Sequence, residues 1–256
     1  MSLNTVNTFD LSGKVAIVTG SNTGLGAGMA VALAAAGCDI VGVSRADPGD
    51  TAARVKAAGR RFADVRADLS STAPLDDIVG AALEAFGHID VLVNNAGIIR
   101  RDDALELNEA DWDAVMDVNL KSLFFLSQAV ARQFVRQGRG GKIINVASML
   151  SFQGGIRVAS YTASKSGVLG LTRLLANEWA AQRINVNAIA PGYMATANTA
   201  PLRDDAQRND EILGRIPAGR WGVPGDLAGP VVFLASAASD YVHGHTLAVD
   251  GGWLAR

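Results

Sequence analysis

The sequence predicts an α/β protein built on one doubly wound, seven-stranded parallel sheet with helices on both faces. Three observations carry that expectation. Short apolar runs alternate with longer helical patterns along all 256 residues, as parallel strands joined by crossover helices require. Hydrophobic residues make up 49% and charged residues 19% of the chain, enough apolar surface for one substantial core. Glycine is abundant at 28 while aromatics are only 6%, which suits a sheet under close-packed helices better than an aromatic-cored β sandwich.

The expected strands fall at residues 15–18, 40–43, 62–66, 91–93, 142–146, 184–189 and 246–249. Helical patterns fit between them at 25–36, 50–58, 75–86, 109–136, 159–181 and 225–235. No repeat or low-complexity linker divides the chain, so residues 1–256 read as a single domain. The least regular region, about 193–221, holds Pro201, Gly214, Pro217 and several charges between two well-marked elements. An insertion of that kind is expected to form a lid over a binding site.

A formal net charge of -2 gives no reason to expect nucleic acid or an anionic membrane as partner, and leaves a small molecule. Cys38 is the single cysteine, so neither an internal disulfide nor a cysteine-based zinc site is expected, and it reads as core filler. His88, His243 and His245 lack the shared-face spacing of a metal site, and no metal is expected. Residues 1–10 show no basic stretch followed by an apolar run, so no secretory signal is expected and the expected location is cytoplasmic. Residues 15–38 carry no charge, yet Gly20, Gly24, Gly26 and Gly28 break the run into strand, turn and helix rather than a membrane span.

After the first strand, Thr19-Gly20-Ser21-Asn22-Thr23-Gly24-Leu25-Gly26 opens directly into a helical pattern. Glycines at such a turn let the backbone approach a pyrophosphate, and the helix start supplies free amides and a positive dipole end. Gly20, Asn22, Thr23, Gly24, Leu25 and Gly26 are therefore cofactor-binding candidates, although G-x-x-x-G-x-G is not the usual spacing and a plain tight turn is the competing reading. The position after the first strand favours a Rossmann-type, dinucleotide-binding domain. Asp68 and Leu69, just past the third strand, suit an adenine ring, unless Asp68 simply caps a helix. Asn95, Ala96 and Gly97 end the fourth strand in Asn94-Asn95-Ala96-Gly97, small enough for close approach of a cofactor. At the end of the second strand, where an acid usually holds a ribose 2′-hydroxyl, stands Val43-Ser44-Arg45. Arg45 suits the 2′-phosphate of NADP; alternatively it is solvated, and Ser44 with backbone groups holds NAD.

Tyr161 and Lys165 are four residues apart, on one face of the fifth helical pattern. At about 6 Å and an effective dielectric of about 20, phenolate and ammonium attract by roughly 3 kcal/mol. That would take a tyrosine from about 10 toward about 8, a working value for a general acid/base. Ser148 follows the fifth strand and so reaches the same sheet edge, where a hydroxyl bonds a substrate carbonyl. Asn119 lies inside the long 109–136 helical pattern, where an amide is a mediocre helix former; it is placed to hold a water on a proton path from Lys165.

Together Thr19 to Gly26, Asp68, Asn94 to Gly97, Asn119, Ser148, Tyr161, Lys165 and Pro191-Gly192 resemble the short-chain dehydrogenase/reductase family over essentially the whole chain. The resemblance implies that Tyr161 donates and accepts the proton, Ser148 positions the reacting oxygen, Lys165 binds the nicotinamide ribose and lowers the Tyr161 pKa, and Asn119 anchors a relay water. It adds Pro191, Gly192, Met194 and Thr196 to the cofactor-binding residues, and it implies a homotetramer packed through helices 109–136 and 159–181. Stretches 87–90, 97–101, 148–157, 190–196, 215–222 and 249–256 further resemble a branch of the family that oxidises or reduces a deoxy keto sugar acid with NAD. Other sugar dehydrogenases and NADPH-dependent oxoacyl reductases remain alternatives. A sugar-acid substrate needs a cation for its carboxylate, and Arg101 and Arg157 are the candidates. Gln153 is placed to read a sugar hydroxyl, and Trp253 reads as a subunit or core anchor. A nucleotide-sensing module without chemistry is the competing class; the presence of Asn119, Ser148, Tyr161 and Lys165 together speaks against it.

Overall fold

The structure, a computed structural model, describes residues 8–256; residues 1–7, most of the stretch read for a secretory signal, lie outside the described residues. Seven strands form one sheet: β1 (Val15–Thr19), β2 (Asp39–Ser44), β3 (Phe62–Arg66), β4 (Val91–Asn94), β5 (Gly141–Val146), β6 (Ile184–Pro191) and β7 (Thr246–Val249). Their order is β3-β2-β1-β4-β5-β6-β7 and every pairing is parallel. Each overlaps its expected run, because the central strands are buried and rich in apolar residues, and the half-exposed edge strands β3 and β7 still carry short apolar runs in the same alternation. The winding reverses between β1 and β4, so their connections part at the carboxyl edge and leave a crevice there.

The helices are α1 (Gly24–Ala35), α2 (Thr51–Ala57), α3 (Leu75–Phe86), α4 (Glu109–Met116), α5 (Ser122–Gln137), α6 (Ala159–Trp179), α7 (Ala200–Asp204), α8 (Ala206–Arg215) and α9 (Ala228–Ala235). On one face Ile78 of α3, Leu126, Val130 and Phe134 of α5 and Leu175 of α6 pack on Ile17, Leu92, Ile143 and Val186. On the other, Met29 and Leu33 of α1 and Val231 and Leu234 of α9 cover Val18, Ile40, Val93 and Ile144. Cys38 is fully buried in that second layer, as core filler should be. Among the described residues no helix is long and apolar enough to cross a membrane.

Two regions depart from expectation. The 109–136 pattern is not one α-helix: a π-helical turn, Asp117–Lys121, separates α4 from α5. Apolar spacing barely changes over one wide turn, so the pattern hid it; such turns recur at functional sites. The irregular 193–221 region contains α7 and α8. Pro201 sits in the first turn of α7, where its missing N–H costs nothing, and the Asp205 side chain caps α8 by accepting from Arg208 N at 3.1 Å.

Buried polar groups tie the central strands to the helices that carry the site. Asn94 Nδ2 donates to Ser127 Oγ on α5 at 2.8 Å and to Asn145 Oδ1 on β5 at 2.9 Å. Asn145 Nδ2 donates in turn to Thr172 Oγ1 on α6 at 3.0 Å. Asn145→Leu strands one hydrogen of Asn94 without an acceptor, and is expected to lower stability in chemical denaturation by about 1–3 kcal/mol.

Candidate functional site

The crevice begins at the glycine turn. Gly20 has φ +64°, a left-handed conformation that side chains resist, and a Cβ on Gly26 would lie 2.1 Å from the Gly20 carbonyl oxygen. Thr19 Oγ1 accepts from Asn95 N at 3.0 Å and Ala96 N at 2.9 Å, and Asn95 Nδ2 donates to Thr19 O at 2.9 Å. The Asn95 side chain thus braces the turn from the end of β4. It was expected to bind cofactor directly; its amide is already committed, so its contribution is to shape. Thr23 caps α1 with no side-chain bond, leaving the first amides of the helix open. Beside them Ser21 Oγ is buried without a partner. An open turn, free amides and an orphaned hydroxyl fit the pyrophosphate of a dinucleotide. Thr196 stands opposite, its Cγ2 at 3.8 Å from where a Gly24 Cβ would be, with Met194 buried behind it. Gly192, after Pro191, donates N–H to Val249 O at 3.0 Å.

At the far side of the crevice the Ser44 hydroxyl donates to Ala46 O at 2.8 Å, so it is spent on its own loop. Arg45 is exposed and helps hold the Asp68 carboxyl below its usual range, after the Asp68 bond from Ser70 N. That bond, 2.9 Å, caps a turn rather than a helix. Leu69 is buried, its carbonyl accepting from Ser122 Oγ at 2.7 Å, and Leu25 packs against the core at its margin. A groove of about 670 Å³ continues from Asn22–Gly24 along α1 between Arg54 and Pro224; none of the proton-handling side chains lines it.

Those side chains meet where β5 ends and α6 begins. Lys165 is 4% exposed; its Nζ donates to Val146 O at 2.6 Å and lies 5.7 Å from the Tyr161 ring centre. Ser148 caps a 3-10 turn, Oγ accepting from Leu150 N at 3.1 Å, and Ser151 Oγ ties that turn to α6 by donating to Lys165 O at 2.6 Å. Asn119 is fully buried at the π turn. Its Oδ1 accepts from Ile98 N at 2.8 Å, and its Nδ2 donates to Ile98 O at 2.9 Å and to Ser164 Oγ at 3.3 Å. Ser164 Oγ donates to Tyr161 O at 2.8 Å. The expected water anchor therefore has both amide hydrogens committed, and it links the π turn to the backbone of Tyr161. Gly97 lies beside it, a Cβ there falling 3.2 Å from Asn119 Oδ1.

The proton affinities correct the expectation from spacing. Desolvation pushes the Tyr161 phenol above its ordinary value, while the Ser148 hydroxyl and the Arg101 guanidinium pull it back only in part. Desolvation also takes Lys165 down to about 8. Attraction across four residues does not govern the pair, because the ammonium points at the Val146 carbonyl and burial acts on both groups.

Of the expected substrate residues, Arg101 Nη2 donates to Asn198 O in the 193–221 region at 3.3 Å, and its field reaches Tyr161. Arg157 is 60% exposed in its side chain and its Nε lies 3.8 Å from Asp103 Oδ1, on a backbone with φ +62°. Gln153 Oε1 accepts from Arg215 Nη2 at 3.4 Å. Arg215 was not expected at the site; its only sequence signal was membership of stretch 215–222. Trp253 is buried and packs edge-on to Tyr193, ring centres 4.8 Å apart, which makes it a core anchor.

A Rossmann crevice with a glycine turn at one end and a half-buried tyrosine with a buried lysine and serine at the other defines a nucleotide-dependent oxidoreductase. The chain belongs to the short-chain dehydrogenase/reductase family, matching over residues 20–254 the family model described as Enoyl-(Acyl carrier protein) reductase. It is thereby an NAD(P)-using enzyme of CH–OH groups. More particularly, it is 67% identical to the 2-dehydro-3-deoxy-D-gluconate 5-dehydrogenase of Dickeya dadantii (strain 3937), over 98% of this chain and 99% of that one. The enzyme of the same name from Escherichia coli (strain K12) is 66% identical over the same shares. Among solved structures, a gluconate 5-dehydrogenase from Burkholderia cenocepacia J2315, in complex with NADP and tartrate, superposes with a TM-score of 0.94 at 40% identity, over 99% of this chain and 100% of that one.

The Lys165 shift has a signed consequence for stability. Its folded pKa, about 8, lies below the unfolded value of 10.5, so the unfolded chain binds more protons between those values and stability rises with pH across that window. The penalty is complete below about pH 8. Lys165→Met removes it, so the melting temperature of the variant relative to wild type is expected to be highest near pH 7 and to fall steadily toward pH 10. A difference that stays flat with pH would show the lysine to be unperturbed.

Proposed function

We propose that this chain is a 2-dehydro-3-deoxy-D-gluconate 5-dehydrogenase, interconverting the alcohol and ketone at the fifth carbon of a deoxy keto sugar acid. The observation that carries the chemistry is the meeting of Tyr161, Lys165 and Ser148 at the carboxyl end of β5, across the crevice from the glycine turn. Near-full-length identity to enzymes of that name supports the substrate. The tartrate in the Burkholderia relative is a small hydroxy acid in keeping with a carboxylate-bearing ligand.

Gly20 to Gly26, Asp68, Gly97 and Met194 to Thr196 would hold the coenzyme, which would supply or take the hydride. The protein handles the proton. Tyr161, protonated at neutral pH, donates to the ketone oxygen in reduction and is left as phenolate; in oxidation it is the phenolate that receives the proton of the alcohol. Ser148 bonds the same oxygen and stabilises the phenolate by the bond that already lowers it. Lys165, cationic below about pH 8, binds the nicotinamide ribose and favours the phenolate once it forms. Asn119 fixes the position of Tyr161 through Ser164. Residues 193–221 form the lid.

We take NAD as the coenzyme and NADP as the second one the site admits, because β2 ends in Ser44-Arg45 with no acid to repel a 2′-phosphate. Exposed Phe125 and Val135 on α5, Leu174 on α6 and Trp112 on α4 support a homotetramer packed through these helices. The cytoplasm is the proposed location.

Tyr161→Phe is expected to bind coenzyme with unchanged affinity in a fluorescence titration and to lose turnover by several orders of magnitude. Near-normal turnover in the variant would remove Tyr161 from the chemistry. Wild type assayed in both directions with NAD(H) and NADP(H) in parallel is expected to favour the sugar acid over neutral ketoses and acyl substrates.

A further inference from the structure

We infer that Arg215 is the residue that reads the carboxylate of the substrate, an assignment that rests on the sugar-acid reading above. Arg215 ends α8, and its guanidinium carbon lies 4.0 Å from the Trp253 ring centre. Trp253 is 4% exposed and wedged against Tyr193, so the platform is rigid. A guanidinium stacked in this way keeps its planar fork of donors available at the edge, the geometry that grips a carboxylate with two bonds.

The fork is underused. Its protein bond is the one to Gln153 Oε1 at 3.4 Å, and among the described residues no carboxylate stands within ion-pair distance of it. Other arginines nearby are spoken for: Arg208 pairs with Glu211 at 2.8 Å and Arg220 with Asp226 at 2.8 Å. The location is right as well. Ile212 of α8 and Ile216 just past it pack with Met149 and Trp253, which sets Arg215 beside the turn that starts at Ser148, while Gln153 lies at the start of the loop leaving that turn. A hydroxyl-reading amide and a carboxylate-reading guanidinium thus stand together on the substrate side of Ser148.

Arg101 was the expected carboxylate ligand, but its field falls on the Tyr161 phenol, which marks it as a neighbour of the reacting carbon. In the proposed substrate the carboxylate is the first carbon and reaction occurs at the fifth, so the two ends need different partners. Arg101 suits the reacting end, and Arg215, reached through Gln153, suits the acid end.

The test compares the sugar acid with its carboxamide as substrates of wild type, Arg215→Met and Arg215→Gln. Loss of a charge-assisted fork is expected to raise KM for the acid by about 30- to 100-fold, with kcat little changed. KM for the carboxamide and the coenzyme dissociation constant are expected to stay at wild-type values, so the preference for the acid collapses. Arg215→Gln keeps a polar, shorter stem over Trp253 and gives the same reading if Arg215→Met fails to fold. An unchanged KM for the acid, or an equal loss on acid and carboxamide, would overturn the assignment. Wild type that turns over no sugar acid would instead overturn the substrate reading on which it rests; wild type that does, with variants as good, overturns this inference alone.

Discussion

Desolvation where β5 runs out beneath α6 is the constraint on which the rest of the site depends. It acts on two groups of opposite charge type and moves them apart, the Tyr161 phenol upward and the Lys165 ammonium down to about 8. The lysine tolerates burial because Nζ has the Val146 carbonyl at 2.6 Å, a backbone acceptor that exists only because β5 ends there. At neutral pH the free site therefore holds a protonated phenol beside a cation. That combination is poised to give a proton to a ketone and to tolerate the phenolate left behind.

The fold's contribution is to bring that edge and the glycine turn to one crevice and keep both rigid. Thr19 and Asn95 stitch β1 to β4 where the winding reverses, and the Asn94, Asn145 and Thr172 ladder fixes α6 against β5. Asn119 extends the same logic to the π turn. These amides do not touch the reacting atoms. Their effect is to hold the groups that do, in a layer where any slip would leave a buried donor unsatisfied.

Much of this was legible in the sequence because it rests on local chemistry. All seven strands were visible because each carries a short apolar run within the alternation of strands and helices, the half-exposed edge strands β3 and β7 included. The glycine turn and the Tyr161, Lys165 and Ser148 set announce themselves by residue type and spacing. What stayed hidden depends on three-dimensional context. One wide turn at Asp117–Lys121 leaves apolar spacing almost intact. Pro201 and Asp205 look like loop residues, yet they start α7 and α8. Burial of the phenol outweighs its lysine neighbour, and spacing alone carries no information on burial. Arg157 and Arg215 are both arginines on irregular stretches; only coordinates show that one faces Asp103 and the other lies flat on Trp253.

The most direct check on the central claim is the ionisation of Tyr161 itself, read in the coenzyme-free protein as the ultraviolet difference between wild type and Tyr161→Phe across alkaline pH. Burial as the dominant influence predicts a phenol that titrates above the ordinary tyrosine value of 10.0, and higher still in Ser148→Ala, which lacks the hydroxyl that favours the phenolate. Titration below that value in the free protein, indifferent to Ser148, would contradict the account and return control of the site to the Tyr161 and Lys165 charge pair.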